Sequence, residues 1–179
     1  MTTQPRIIIT GFMCAGKTTV ARALAARLQC AWLDLDEFIA AREGRTVPAI
    51  IDAGGEARFR EIETAALCAA LATDARIIAL GGGAWTIERN RTLINAHACL
   101  TIWLDAPFEL CWQRIERDAN VRPLARDLLA ARSRYDERRM YYQLAQHHVS
   151  ATQGVDEIVA EILTSLEAEP SKGTNHEHG

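Results

Sequence analysis

Residues Gly11-Phe12-Met13-Cys14-Ala15-Gly16-Lys17-Thr18 complete a GxxxxGK[ST] pattern immediately after the apolar run Arg6-Ile7-Ile8-Ile9-Thr10 and before a segment with helical spacing of apolar residues. A strand, a turn of small residues and a helix in that order fix both a fold class and a chemistry. The turn lets backbone N–H groups curl around phosphate oxygens, and the helix adds its positive N-terminal end. Lys17 brings a mobile charge to the terminal phosphates, and Thr18 brings a hydroxyl to Mg²⁺. A strand-to-helix turn that matches by chance is the alternative, and the flanking elements argue against it.

The rest of the chain alternates in the same way. Val20, Leu24 and Leu28 continue at helical spacing, which predicts a helix over 17–29. A short strand over 31–35 runs into acid at Asp34 and Asp36, and a helix follows over 36–42. Gly54-Gly55 is expected to break the chain before a long helix over 56–72, with Phe59, Ile62, Ala66 and Ala69 or Ala70 as its buried stripe. Ile77-Ile78-Ala79-Leu80 reads as a third strand, ended by Gly81-Gly82-Gly83. A helix over 87–96 leads to a strand over 99–104, and Pro107 suits the first turn of a helix reaching Arg117. Pro123 and its charged neighbours suggest a mobile lid around 118–127 before a helix to Gln146, a short strand over 147–150 and a last helix over 155–166. The polar tail, 168–179, is expected to be disordered.

Such alternation implies an α/β fold of three layers, a P-loop kinase fold with a mostly five-stranded parallel sheet flanked by helices, because parallel neighbours require crossovers. Ligands of these sheets sit beyond the carboxyl ends of the strands. The phosphate loop, the Asp34/Asp36 pair and the triple glycine all follow strands and are expected to meet in one cleft. With 179 residues, 49% of them hydrophobic, the chain suits one domain over 1–167 rather than two. A net charge of −3 with scattered arginines offers no field for a nucleic-acid backbone. Five cysteines without a CxxC pair point to reduced thiols, most of them core residues, and no segment reads as a leader or a membrane span. A cytoplasmic monomer acting on small molecules is the expectation.

Asp34 and Asp36 fall on one side of an extended backbone, where one could approach Mg²⁺ and the other an acceptor hydroxyl; both could also cap the next helix. The triple glycine leaves main chain uncovered where a ligand could touch it. Arg58 and Arg60, by themselves, read as residues of a solvated helix face.

Taken together, Gly11–Thr18, Asp34-Leu35-Asp36, Gly55-Glu56-Ala57-Arg58-Phe59-Arg60-Glu61-Ile62-Glu63, Leu80-Gly81-Gly82-Gly83-Ala84 and Val121-Arg122-Pro123-Leu124 resemble the shikimate kinase family of P-loop proteins, over about 6–166. The resemblance implies ATP-dependent phosphorylation of the shikimate 3-hydroxyl, with ATP as co-substrate and Mg²⁺ as cofactor. It places Gly11, Cys14, Ala15, Gly16, Lys17, Thr18 and Thr19 around the nucleotide, with Arg114 on adenine and Arg122 reaching in from the lid. Thr18 and Asp34 would lie on the Mg²⁺ side. Asp36 would hold the acceptor hydroxyl and receive its proton, Arg60 would pair with the acceptor carboxylate, and Gly82 and Gly83 would touch the acceptor. Lys17 and Arg122 would stabilise the transferring phosphoryl group beside Asp36.

Three departures bear on these assignments. The family's second substrate arginine lies in an Arg-x-Pro-Leu-Tyr segment, and here Arg138-Arg139-Met140-Tyr141-Tyr142 favours Arg138 but leaves Arg139 open. The span from Arg122 to Arg138 is shorter than usual in the family. Cys14 stands where glycine is common, so its backbone is expected to keep φ negative, and its thiol, near Lys17 and a helix end, is expected to be acidified and prone to oxidation. Gluconate or nucleoside monophosphate kinases of the same architecture, and a nucleotide-binding regulator without turnover, are the competing functions.

Overall fold

The computed structural model describes residues 5–117 and 127–168. Residues 118–126 of the expected lid, with Arg122, and the tail from residue 169 lie outside the described residues. Five parallel strands, β1 (Ile7–Thr10), β2 (Trp32–Asp34), β3 (Ile77–Ala79), β4 (Leu100–Asp105) and β5 (His147–Ser150), form one sheet in the order β2-β3-β1-β4-β5. Ile7, Ile8 and Ile9 pair with Ile77, Ile78 and Ala79 on one side and with Leu100, Thr101 and Ile102 on the other. All of these residues are buried, which is why the central strands read as continuous apolar runs rather than alternating ones.

The crossovers carry the helices α1 (Lys17–Leu28), α2 (Leu35–Glu43), α3 (Val47–Leu71), α4 (Glu88–Ala96), α5 (Phe108–Arg117) and α6 (Leu128–Tyr142), and α7 (Val155–Ala168) follows the last strand. Among the described residues no helix is long and apolar enough to cross a membrane.

Helices α3 and α6 differ from the expectation. Helix α3 starts nine residues before Glu56, at Val47, where Thr46 accepts a hydrogen bond from the Ala49 amide and Pro48 fits the first turn. Gly55, at φ 77° and ψ 170°, interrupts α3 where the break was expected, and the part of α3 before it is the stretch the expectation lacked. Helix α6 stops at Tyr142 rather than Gln146, because Gln146 plugs β4: its amide donates to Thr101 Oγ1 and its side-chain oxygen accepts from the Thr101 amide. Asp127, assigned to the lid, caps α6 by accepting from the Leu129 and Ala130 amides. Of the cysteines, only Cys99 and Cys111 are buried; Cys14 and Cys30 are half-buried and Cys68 is exposed.

Because β3 lies between β1 and β2, the loops after these three strands are neighbours at the carboxyl edge. This arrangement sets the phosphate loop, the glycine loop and the Asp34/Asp36 segment side by side.

Candidate active site

The phosphate loop leaves β1 through Gly11, at φ 145°, where a Cβ would stand 2.7 Å from the Leu104 carbonyl oxygen. Gly16, at φ 101°, caps α1 without any side-chain hydrogen bond, and no acidic residue occupies the first turn. The first amides of α1 therefore have no side-chain competitor for an anion. Cys14 adopts φ 59°, which corrects the expectation of negative φ: the loop needs a left-handed residue here, the position glycine fills most cheaply. The loop is held from outside by Arg114, whose Nη1 donates to the Cys14 carbonyl at 3.0 Å, and by Phe12, packed edge-on against Tyr135 of α6. Arg114 thus lies against the phosphate loop. Ala15 is buried in its floor, and Thr19 is exposed on the first turn of α1.

Lys17 folds back over the loop, donating to the Gly11 and Phe12 carbonyls at 3.0 and 2.8 Å. Burial pushes its ammonium below the usual lysine range, against the pull of Asp36 and Asp34. One step away, the Thr18 hydroxyl donates to Asp34 Oδ2 at 2.5 Å, while Asp34 Oδ1 accepts from the Asp36 and Glu37 amides. Asp34 therefore caps α2 with one oxygen and meets Thr18 with the other. A hydroxyl and a carboxylate side by side are hard oxygen donors, which fits Mg²⁺ bound through few protein ligands.

Asp36 sits on the first turn of α2 against the glycine loop. A Cβ on Gly81 would come within 2.7 Å of Asp36 Oδ1 and 3.2 Å of Glu63 Oε1, so the absent side chain gives both carboxylates their room. A Cβ on Gly83 would collide with the Arg60 guanidinium, and one on Gly82 would lie 3.3 Å from the Met13 amide and 3.7 Å from Arg138 Nη1. The three glycines thus serve three different neighbours, which is more than a strand exit requires.

Arg60 is pinned from two sides. Its Nη1 donates to Glu63 Oε2 and its Nη2 to Glu56 Oε1, each at 2.8 Å. Burial works against its charge, but Glu63 and Glu56 outweigh it and hold the guanidinium above the ordinary arginine range. Glu63 is 1% exposed, and burial pushes its carboxyl up against the pull of Arg60. Arg58, by contrast, is exposed and pairs with Glu61.

The adjacent arginines leave α6 in different directions. Arg138 faces the glycine loop, where burial lowers its pKa and the Tyr142 hydroxyl is its partner. Arg139 turns outward, half exposed, toward Asp105 at 3.9 Å and over Trp103. Tyr142 itself is buried and donates to the Gly82 carbonyl at 2.5 Å. Sequence reasoning assigned no role to Glu56, Glu63 or Tyr142. The available signal was helical spacing: Glu56, Arg60 and Glu63 are i, i+4 and i+7 on one face, and Tyr142 follows Arg138 by four.

Comparison with known proteins gives the family. The family model for shikimate kinase matches residues 13–167. The shikimate kinase of Salinibacter ruber is 38% identical, covering 93% of this chain and 87% of that protein. The one from Aquifex aeolicus is 36% identical over 90% of this chain and 96% of its own length. Among solved structures, shikimate kinase from Acinetobacter baumannii in complex with shikimate superposes with a TM-score of 0.85 at 34% identity, covering 93% and 94% of the two chains. A gluconokinase from Sinorhizobium meliloti, at 17% identity and a TM-score of 0.63 over 92% of each chain, shares the fold alone. The family model and these relatives, each matched over most of its length, show that the chain belongs to the shikimate kinase family.

Proposed function

We propose that this chain transfers the γ-phosphoryl group of ATP to the 3-hydroxyl of shikimate, giving shikimate 3-phosphate and ADP. The observation that carries the reading is the convergence of Asp36, Arg60 and Arg138 on one glycine loop beside the phosphate loop. A carboxylate for a hydroxyl and two guanidiniums for a carboxylate form a receptor for a small hydroxy acid. An arginine fork suits the carboxylate because its planar N–H pairs match two oxygens.

In this reading the acceptor oxygen bonds to the γ-phosphorus as the bond to the β,γ-bridging oxygen breaks, and Asp36 takes the hydroxyl proton. The transition state is loose, so positioning and cationic stabilisation outweigh base strength. Lys17 exchanges its loop carbonyls for phosphate oxygens. Arg122 keeps its assigned place near the transferring group on the resemblance alone. Thr18 and Asp34 would hold Mg²⁺, which when bound offsets phosphate charge. Residues 1–167 then act as one kinase domain on small-molecule substrates.

The test is ADP release from MgATP with shikimate, gluconate or a nucleoside monophosphate supplied separately, with the product identified by mass. Transfer to shikimate alone supports the reading; transfer to gluconate, or to none of the three, removes it. A milder prediction follows from Tyr142. Tyr142→Phe deletes the donor to the Gly82 carbonyl and the partner of Arg138, a loss of about 1–2 kcal/mol. The KM for shikimate is expected to rise about 5- to 30-fold, by the usual tenfold per 1.4 kcal/mol, with the KM for ATP unchanged; equal changes in both would place Tyr142 in general packing.

A further inference from the structure

The Arg60 guanidinium has both of its terminal nitrogens occupied by carboxylates of its own helix, yet it is the group expected to receive the carboxylate of the acceptor. The two occupants are not equivalent. Glu63 is 1% exposed and cannot withdraw without stranding a buried acid, whereas Glu56 is 68% exposed. Glu56 also stands directly after Gly55, whose φ of 77° and ψ of 170° interrupt the helix, so its segment is joined to the first half of α3 through one non-helical residue.

We propose that Glu56 is a built-in competitor for the acceptor: its carboxylate occupies the edge of Arg60 that the substrate carboxylate takes, and substrate binding displaces it into solvent while Glu63 keeps the guanidinium in place. This inference rests on the shikimate reading above. The charge environment agrees with the geometry. Arg60 first, and then Arg138 and Arg134, hold the Glu56 carboxyl below the usual glutamate range, so it lies in the field of the same arginines that face the acceptor site. Arg138 has Tyr142 as its partner, and Arg60 repels it. A carboxylate among these guanidiniums relieves that repulsion, and Glu56 supplies one intramolecularly.

The consequence is selectivity. A small carboxylate that offers only its charge must compete with an acid tethered four residues from Arg60. An acceptor that also offers hydroxyls to Asp36 and the glycine loop can win that exchange. The ion pair is largely exposed on its Glu56 side, so its displacement weakens substrate binding only a few-fold.

The discriminating variant is Glu56→Gln in the full chain. It is expected to lower the KM for shikimate about 2- to 5-fold, with kcat and the KM for ATP moving less than twofold, and to lower the malonate concentration that half-inhibits turnover by a similar factor. A higher KM for shikimate would mean that Glu56 orients Arg60 rather than competing for it, and an unchanged KM with unchanged malonate inhibition would mean no contact with the acceptor; either overturns the proposal. If the wild-type chain does not phosphorylate shikimate, the functional reading fails separately. The competition is then read by phenylglyoxal modification of Arg60: malonate is expected to protect at lower concentration in Glu56→Gln than in wild type, and equal protection overturns the inference.

Discussion

Asp36→Asn is expected to lower kcat by about 10²- to 10⁴-fold, the range associated with losing a positioned proton acceptor, while MgATP still binds. The substitution keeps the shape that fits against Gly81 and removes only the charge and the ability to accept the hydroxyl proton. Nucleotide binding is expected to survive because none of the residues assigned to the nucleotide lies on α2; they sit in the loop after β1, at the start of α1, at Arg114 and at Arg122. A second effect is specific to this site. Burial already lowers the pKa of Lys17, and Asp36 is the largest opposing influence. Without Asp36 the ammonium is easier to deprotonate, so the alkaline limit of ATP binding is expected to move to lower pH. Single-turnover transfer, together with ATP titrations across pH 7 to 10, measures both. Normal transfer would remove Asp36 from the chemistry, and an unmoved alkaline limit would remove its hold on Lys17.

These interactions mark where the sequence stopped being informative. The strands, the order of motifs and the convergence of three loops were legible because each depends on local signals: apolar runs, glycines after strands, and acids before helices. The capping role of Asp34 was legible; its hydrogen bond with Thr18, made through the other oxygen of the same carboxylate, was not. The start of α3 was also encoded, in Thr46 and Pro48, but the paired glycines that follow outweighed it as a break signal. The left-handed backbone of Cys14 was not legible, because the curvature of the phosphate loop sets φ there and the residue type would by itself disfavour it. Nor could spacing decide between Arg138 and Arg139. Consecutive residues on a helix point about 100° apart, and only the packing of α6 shows that one meets Tyr142 while the other lies half exposed toward Asp105 and Trp103. Glu63 was hidden for a similar reason: an acid one turn after an arginine is ordinary on a helix surface, and burial alone makes it unusual.

That burial gives Arg60 two separable duties, and Arg60→Ala is expected to fail in both. Loss of the fork removes the partner proposed for the acceptor carboxylate, so shikimate binding should fall by at least tenfold, on the order of one charge-assisted hydrogen bond of 1.5–3 kcal/mol. Loss of the counter-ion strands Glu63 inside the protein. Breaking a fully buried pair costs about 3–5 kcal/mol; because Arg60 is itself 24% exposed, solvent screening reduces this to about 2–3 kcal/mol, or about 4–12 °C in Tm. The deficit should depend on pH in a defined direction. Burial raises the Glu63 pKa in the folded protein, and removing Arg60 deletes the main influence opposing that rise. An acid with a raised folded pKa favours the folded state most below its unfolded value, about 4.3, and loses that contribution as pH climbs through the folded value. The variant is therefore expected to be closest to wild type near pH 5 and furthest from it at pH 8. Adding Glu63→Gln removes the stranded charge, so the double variant should recover most of the stability at pH 8 and none of the shikimate binding. Thermal unfolding at both pH values, with shikimate titrations of the single and double variants, distinguishes the two duties. A double variant no more stable than Arg60→Ala would show that the cost arises from lost packing against Phe59 and Gly83 rather than from the buried carboxylate.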